Sequence, residues 1–308
     1  MSLASSKGRL VAAICAIFAL VSTAACSSGS DAVPGPPGSG DRLLDRAPVA
    51  SDEEIAQSPT AKAIKDRGQL LIGSTLENPL LSQQNPTTGI TEGFDASLGR
   101  LLAKYILGQP NAKIVNATAQ TREALLQNNT VDTIIYTYSI TVPRSEKVTF
   151  AGPYFMSGPA IATLKSTSGI TKPSDLNGKK VLANVNTTGA SLVKQVAPQA
   201  DLTTFATTPE CIQALEQGRG DAYVNDLTIL ASNAVLNDKL KVVGGSFGQD
   251  PYGIGLKHGD DTFKKFVNDW LKKIQDAGLW QEAYKESLGT VIEGDPPAPP
   301  AIGSVPGS

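Results

Sequence analysis

The sequence predicts an α/β protein whose sheets contain parallel strands, and three observations predict it. Short apolar runs alternate with amphipathic segments of helical period from Gly68 onward. The 308 residues are 41% hydrophobic, enough for a sizeable core in one large or two smaller domains. A helix–polar turn–strand unit also recurs: Ala124-Leu125-Leu126-Gln127 leads to Val131-Asp132 and a strand, and Ala214-Leu215-Glu216-Gln217 leads to Asp221 and another. Two similar α/β lobes would produce that echo; so would chance, since such units are common.

Residues 1–25 read as a secretory signal. Lys7 and Arg9 precede the apolar run Leu10–Val21, which is followed by Ser22-Thr23-Ala24-Ala25 and Cys26. A run of 12 residues is short of the roughly 20 that span a bilayer. Cys26 after two alanines resembles a bacterial lipobox, in which the cysteine becomes a lipidated first residue; Thr23 stands where Leu is usual, and ordinary signal cleavage is the alternative. Residues 26–48, with Ser27–Ser30 and Val33–Gly40 rich in Gly, Pro and Ser, are expected to be a flexible tether.

The folded elements follow in order. Gln69–Gly73 is expected to be a strand, Asp95–Leu107 a helix on the spacing of Phe94, Leu98, Leu101, Leu102 and Tyr105, and Lys113–Ala117 a strand. Glu123–Gln127 is a short helix with Thr121 as its cap, and Val131–Tyr138 is a β-rich run. After Gly152-Pro153-Tyr154 the pattern restarts. Strands are expected at Pro159–Leu164, Lys180–Val185, Leu202–Phe205 and Asp221–Val224, with helices at Ala190–Val196 and Pro209–Gln217. Phe263, Phe266, Val267, Trp270, Leu271 and Ile274 form a helical stripe. Pro296, Pro297, Pro299 and Pro300 mark a disordered or extended tail.

Composition excludes several functions. With 27 basic and 29 acidic side chains the net charge is −2, which gives no electrostatic footprint for nucleic acid. Removing Lys7 and Arg9 with the signal leaves 25 basic against 29 acidic groups, a net of −4. The single histidine, His258, and the cysteines Cys15, Cys26 and Cys211 nearly rule out a Cys/His zinc site, which needs about four ligands. A histidine-based triad would have to use His258 in a Lys-His-Gly-Asp turn. Cys211, four residues before Leu215 on an expected helix, reads as a small buried hydrophobe, with a reactive thiol as the alternative. No metal or cofactor is expected, and composition leans from hydrolysis towards binding.

In open α/β sheets a ligand sits beyond the carboxyl ends of strands. The residues placed there are Ser74-Thr75, Arg122, Thr137-Tyr138-Ser139 and Arg144 in the first half, and Asn186-Thr187-Thr188-Gly189 and Asn225-Asp226 in the second. Gly189 would put backbone N–H groups at a helix N-terminus, a natural anion site. Two arginines, a hydroxyl cluster, that helix end and one aspartate suit a zwitterion with an extra negative charge: bidentate Arg to carboxylate, Asp to ammonium. Taken singly, each arginine reads more often as a solvated surface group.

The residues also resemble a family. Gly93-Phe94-Asp95 is similar to its "G-F-D" helix start, and Arg122-Glu123-Ala124-Leu125-Leu126-Gln127 through Asp132 to its "R-x-x-x-L-x-x-G-x-x-D" stretch. Ile140-Thr141-Val142-Pro143-Arg144 through Phe150-Ala151-Gly152-Pro153-Tyr154 is similar to "T-i-T-x-x-R…F-s-x-P-Y". Asp175-Leu176-Asn177-Gly178-Lys179, Thr188-Gly189, Asp221–Asp226, Tyr252-Gly253-Ile254-Gly255 and Gly278-Leu279-Trp280…Tyr284 complete an ordered set from about 65 to 290. On these residues the chain resembles extracellular solute-binding protein family 3, the substrate-binding subunits of polar-amino-acid ABC transporters, and within it the actinobacterial glutamate-binding lipoproteins.

The resemblance implies a type II periplasmic-binding-protein fold, two α/β lobes joined by two hinge strands near Tyr154–Gly158 and Gly248–Tyr252. Lobe one would be 49–153 plus 253–291, lobe two 159–247, and 292–308 a Pro-rich tail. It implies that Arg144 takes the ligand α-carboxylate with Ser139, Thr137, Thr188 and Gly189, that Asp226 takes the ammonium, and that Arg122 faces a side-chain carboxylate, which favours glutamate or aspartate. Tyr138 and Thr75 belong to the same set; Thr75 stands where several acidic-ligand relatives carry Arg or Lys, so glutamine and asparagine are tolerated alternatives. Ala183 stands where close relatives have a cysteine that pairs with the counterpart of Cys211, so that disulfide cannot form, and Ala119 lacks a ring that some relatives stack on the ligand. The implied protein is a monomeric, non-enzymatic lipoprotein on the outer face of the cell membrane, serving an ABC permease. A sensing module that signals to a partner protein is one alternative, and a dehydratase-type enzyme on the same fold another.

Overall fold

The computed structural model describes residues 39–292 and 294–308. The expected signal peptide, Cys26 and the tether as far as residue 38 lie outside the described residues. In order, the elements are α1 (Ser39–Asp45), α2 (Asp52–Ala56), α3 (Pro59–Arg67), β1 (Leu70–Ser74), β2 (Glu77–Asn78), β3 (Ser82–Gln84), β4 (Thr91–Glu92), α4 (Phe94–Leu107), β5 (Ala112–Asn116), α5 (Arg122–Gln127) and β6 (Thr133–Ile134). Then come α6 (Val142–Ser145), β7 (Thr149–Ser157), β8 (Pro159–Leu164), β9 (Lys180–Asn184), α7 (Thr188–Val196), β10 (Asp201–Phe205), α8 (Thr208–Glu216) and β11 (Ala222–Asp226). The last are α9 (Leu227–Leu236), β12 (Leu240–Val243), β13 (Asp250–Leu256), α10 (Asp261–Asp276) and α11 (Leu279–Lys285).

Two five-stranded sheets organise the chain. The first runs β5-β1-β6-β13-β7 and the second β10-β9-β11-β8-β12. Strands β5, β1 and β6 are parallel, as are β10, β9 and β11, which is the arrangement that strand–helix alternation predicts. The other strands are antiparallel: β13 pairs so with β6 and β7, and β8 with β11 and β12. Both sheets are therefore mixed, because the strands that carry the chain between lobes return against the parallel ones. A small antiparallel sheet, β2-β3-β4, had no sequence signal strong enough to place it.

Each sheet is covered on both faces. On the first, α4, α10 and α11 bury Phe94, Leu98, Trp270, Trp280 and Tyr284 on one side, while Leu126, Ile134, Tyr138 and Phe150 pack on the other. The expected stripe on α10 is buried at all six positions. On the second sheet, Cys211, Leu215 and Tyr223 fill one face and Val181, Val193 and Val224 the other. Cys211 is a free, fully buried thiol, in agreement with its reading as a small buried hydrophobe.

Two crossings join the lobes. β7 runs into β8 through Gly158, and Asp250 at the start of β13 pairs with Ser157. The crossings touch closely: a Cβ on Gly158 would stand 2.1 Å from the Gly248 carbonyl oxygen, so any side chain there would force them apart.

Several sequence expectations need correction. Thr121 precedes α5 but its side chain caps nothing in that helix; its hydroxyl accepts from the Thr118 N–H instead. Val131–Tyr138 forms strand only at Thr133–Ile134, because the chain turns out of the sheet at Thr137, whose φ is +38°. The expected tether does not stay free to residue 48: α1 occupies Ser39–Asp45 and Leu43 is buried in the lobe-one core. The tail at 294–308 is irregular but docked. Gly303 N–H donates to Gly152 O at 2.9 Å, Ile302 packs on one face of lobe one, and Val305 packs on the other. Among the described residues no helix is long and apolar enough to cross a membrane.

Candidate functional site

The carboxyl ends of both parallel strand sets face each other across the cleft, and the polar residues there converge. Arg122, at the start of α5, is 4% exposed, and Arg144, on α6, is 9% exposed. Both lie over the buried ring of Tyr138, with guanidinium carbons 3.7 Å and 5.3 Å from its centroid. A cation over an aromatic face is attracted by the ring quadrupole, more so when dry. Tyr138 is thus a platform beneath the two arginines rather than a wall of the cavity; burial pushes its hydroxyl pKa up to about 12.

The arginines are charged groups with few protein partners. Arg122 Nη1 donates to Tyr136 O at 3.4 Å, and its buried Nε has no partner. Arg144 donates to Ser139 O at 2.9 Å and, across the cleft, to Asn186 O at 3.0 Å. Among the described residues neither forms an ion pair. Burial, then the proximity of Arg144, lowers the Arg122 pKa to about 10, which still leaves it cationic at neutral pH.

The Thr137–Ser139 loop is held from below by Asp95. The Thr137 N–H donates to Asp95 Oδ2 at 3.0 Å and the Tyr154 hydroxyl to Oδ1 at 2.9 Å. Burial raises the Asp95 pKa to about 7 against the pull of these two bonds. Sequence reasoning placed Asp95 only at a helix start; its role as the loop's anchor depends on a contact 42 residues away, which no local pattern carries.

Lobe two supplies the facing wall. Thr187 caps α7 by accepting from Ala190 N–H, leaving the first turn at the cleft. Thr188 lines the cavity and its hydroxyl donates to Asp250 Oδ2 at 2.7 Å. Asp226 ends β11, is 6% exposed, and accepts from the Tyr252 hydroxyl at 2.7 Å. Burial, then the neighbouring Asp250 carboxyl, pushes the Asp226 pKa well above the usual carboxylate range.

The structure brings Arg122, Thr137, Ser139, Arg144, Thr188 and Asp226 around one small cavity of about 30 Å³. That is room for about two water molecules. It leaves three expected residues out of the lining. Tyr138 lies beneath, Gly189 packs near Val224, and Thr75 is buried after β1, where its hydroxyl accepts from Glu77 N–H. Asn225, placed there by the sequence, also lines the cavity; Tyr136, Asn184, Thr208 and Ile229 line it without having been singled out, because they come from a loop, a strand end and helices whose exact register the sequence does not give. Beside it runs a wider groove of about 560 Å³ that shares Arg144, Thr187 and Thr188 with the cavity.

Residues 70–290 match the model of the bacterial extracellular solute-binding proteins, family 3. The chain belongs to that family. Among family-3 relatives, the ABC transporter glutamine-binding protein GlnH of Bacillus subtilis is 33% identical over 277 residues, covering 89% of this chain and 94% of GlnH. The glutamate-binding protein GluB of Corynebacterium glutamicum is 31% identical over 247 residues, covering 75% of this chain and 83% of GluB. A crystal structure of the cysteine-binding protein of Campylobacter jejuni superposes with a TM-score of 0.72 at 27% identity, covering 78% of this chain and 96% of that one. The family-3 fold is that of the type II periplasmic binding proteins, in agreement with the two mixed sheets and paired crossings described above.

Proposed function

We propose that this family-3 protein is the substrate-binding lipoprotein of an ABC importer and that it captures an acidic or polar amino acid, glutamate foremost, between its lobes. One observation carries the proposal: two buried guanidinium groups, without ion-pair partners among the described residues, face a buried carboxyl across a polar cavity. Arg144, with Ser139, Thr137 and the α7 end at Thr188 and Gly189, takes the α-carboxylate, and Asp226 takes the ammonium. Arg122 takes the side-chain carboxylate, which ranks glutamate and aspartate above glutamine and asparagine. Relatives named for glutamine and for glutamate bracket that choice.

The fold suggests how capture works. A cavity of about 30 Å³ is too small for an amino acid, so the lobes part to admit it and close around it. Closure removes water from charge-assisted hydrogen bonds, each contributing about 1.5–3 kcal/mol. We assign 49–153 plus 253–291 to lobe one and 159–247 to lobe two, with the closed pair presented to a permease. Lipidation at Cys26 would keep the monomer at the outer face of the membrane. No residue of the cavity is assigned a catalytic role.

Isothermal titration calorimetry with L-glutamate, L-aspartate, L-glutamine and L-asparagine tests the proposal. Binding led by glutamate is expected, and no heat with any amino acid would refute it.

A further inference from the structure

Asp226 and Asp250 sit beside each other at the crossings. Their Cα partners are Pro159 and Ser157, two positions apart where β7 passes into β8. Asp226 is 6% exposed and Asp250 4%. Each Oδ2 takes one hydroxyl, from Tyr252 and from Thr188, both at 2.7 Å. Tyr252 is itself within 2.9 Å of the Thr228 hydroxyl. Neither carboxyl forms an ion pair among the described residues.

The two carboxyls also stand on opposite sides of one wall. Asp226 lines the small cavity, Asp250 lines the wide groove, and Thr188 lines both.

We infer that Asp226 and Asp250 act as one carboxyl pair that receives the ligand's ammonium group and releases a proton in exchange. This rests on the amino-acid-binding function proposed above. Two like charges close together in a dry place resist being ionised at once. The surrounding charges do not cancel that resistance. Arg144 on α6 favours ionisation of Asp226, while burial and Asp250 oppose it more strongly. Arg122 also feels the Asp226 carboxyl across the cavity but is not among the larger influences on it, the Tyr252 hydroxyl is neutral, and Glu123 and Lys147, which line the groove with Asp250, pair with each other at 3.0 Å. An entering ammonium supplies a positive charge and three donors. The ionised pair is then favoured, one proton passes to solvent, and the net charge of the site is unchanged. Asp250 thus becomes a ligand-positioning residue alongside Asp226.

The experiment is calorimetry of the full chain with L-glutamate and with L-glutamine in phosphate and in Bis-Tris, two buffers of different ionisation enthalpy, at matched pH between about 6 and 7. Both ligands carry the same ammonium group. The expected result is a buffer-dependent enthalpy corresponding to release of about one proton for each ligand. Affinity for both should rise with pH by up to about tenfold per unit. Asp250→Asn should weaken both ligands by a similar factor, about tenfold, and reduce the proton release without abolishing it, since burial still favours a protonated Asp226. Binding with buffer-independent enthalpy would overturn the proton exchange while leaving the proposed function standing, and so would full proton release in Asp250→Asn. No heat with any amino acid would overturn both. Should Asp250→Asn lack a cooperative thermal transition, the two-buffer comparison on the natural sequence decides alone.

Discussion

Arg144 of lobe one donates to the main-chain carbonyl of Asn186 of lobe two at 3.0 Å, and the Asn186 side-chain amide donates back to Ala119 O of lobe one at 2.8 Å. One residue of lobe two thus makes two hydrogen bonds across the cleft. Asn186 does so with φ at +62°, in the left-handed region that Asn tolerates better than most residues.

Asn186→Gly tests this latch. Glycine keeps the backbone geometry and removes only the bond to Ala119 O. Loss of about 0.5–1.5 kcal/mol from the closed form should shift the open–closed ratio of ligand-free protein about two- to tenfold towards open. Single-molecule energy transfer between labels on the two lobes would register it. An unchanged distance distribution would show that the latch does not hold the lobes.

Arg122→Ala should separate acidic from amide ligands. Loss of a charge-assisted contact should weaken glutamate about 10- to 100-fold and glutamine far less. Equal losses for the two would mean that Arg122 does not face the side chain.

Asp95 should make stability fall with rising pH. Its folded pKa of about 7 lies above the usual carboxylate value of about 4. Between those values the native state holds a proton that the unfolded chain has released. Its stabilising contribution is therefore complete below about pH 4 and lost as pH rises through about 7, at up to about 1.4 kcal/mol per unit. Urea unfolding from pH 4 to 8 measures this slope, and Asp95→Asn should flatten it. A slope unchanged by the substitution would place the titrating group elsewhere.

Cys211 should be inert while the protein is folded. Burial, then nearby Glu210, raises its thiol to about 12, and its side chain is inaccessible. Alkylation followed by peptide mass mapping should leave the Cys211 peptide unmodified in buffer and modify it fully in guanidinium chloride. Rapid labelling of native protein would contradict its place in the core.

Periodicity located most helices and parallel strands, because apolar spacing is a local property of the chain. α10 and α4 fall where Trp270 and Leu98 and their neighbours predict them. The loop at Thr137 carries a strand-like sequence, and the contact that holds it, to Asp95, is distant in sequence. The positions of Arg122, Arg144 and Asp226 were legible as residue types at strand ends. The platform role of Tyr138 was not, since a buried tyrosine and a cavity-lining one look alike in a sequence. The docking of the tail was also hidden: its prolines signal irregular backbone and say nothing about the surface that Ile302 and Val305 find.

Helix α1 and the docked tail both belong to lobe one: Leu43 and Ile302 join one of its core faces, and Val305 the other. Any mooring that holds the chain ahead of residue 39, or any handle fused after Ser308, therefore grips the same half of the molecule. In the capture proposed above, lobe two would be the free jaw: a surface that fixes lobe one would leave the bite unimpeded, and a receptor that reads closure would need only sense where the other jaw has come to rest.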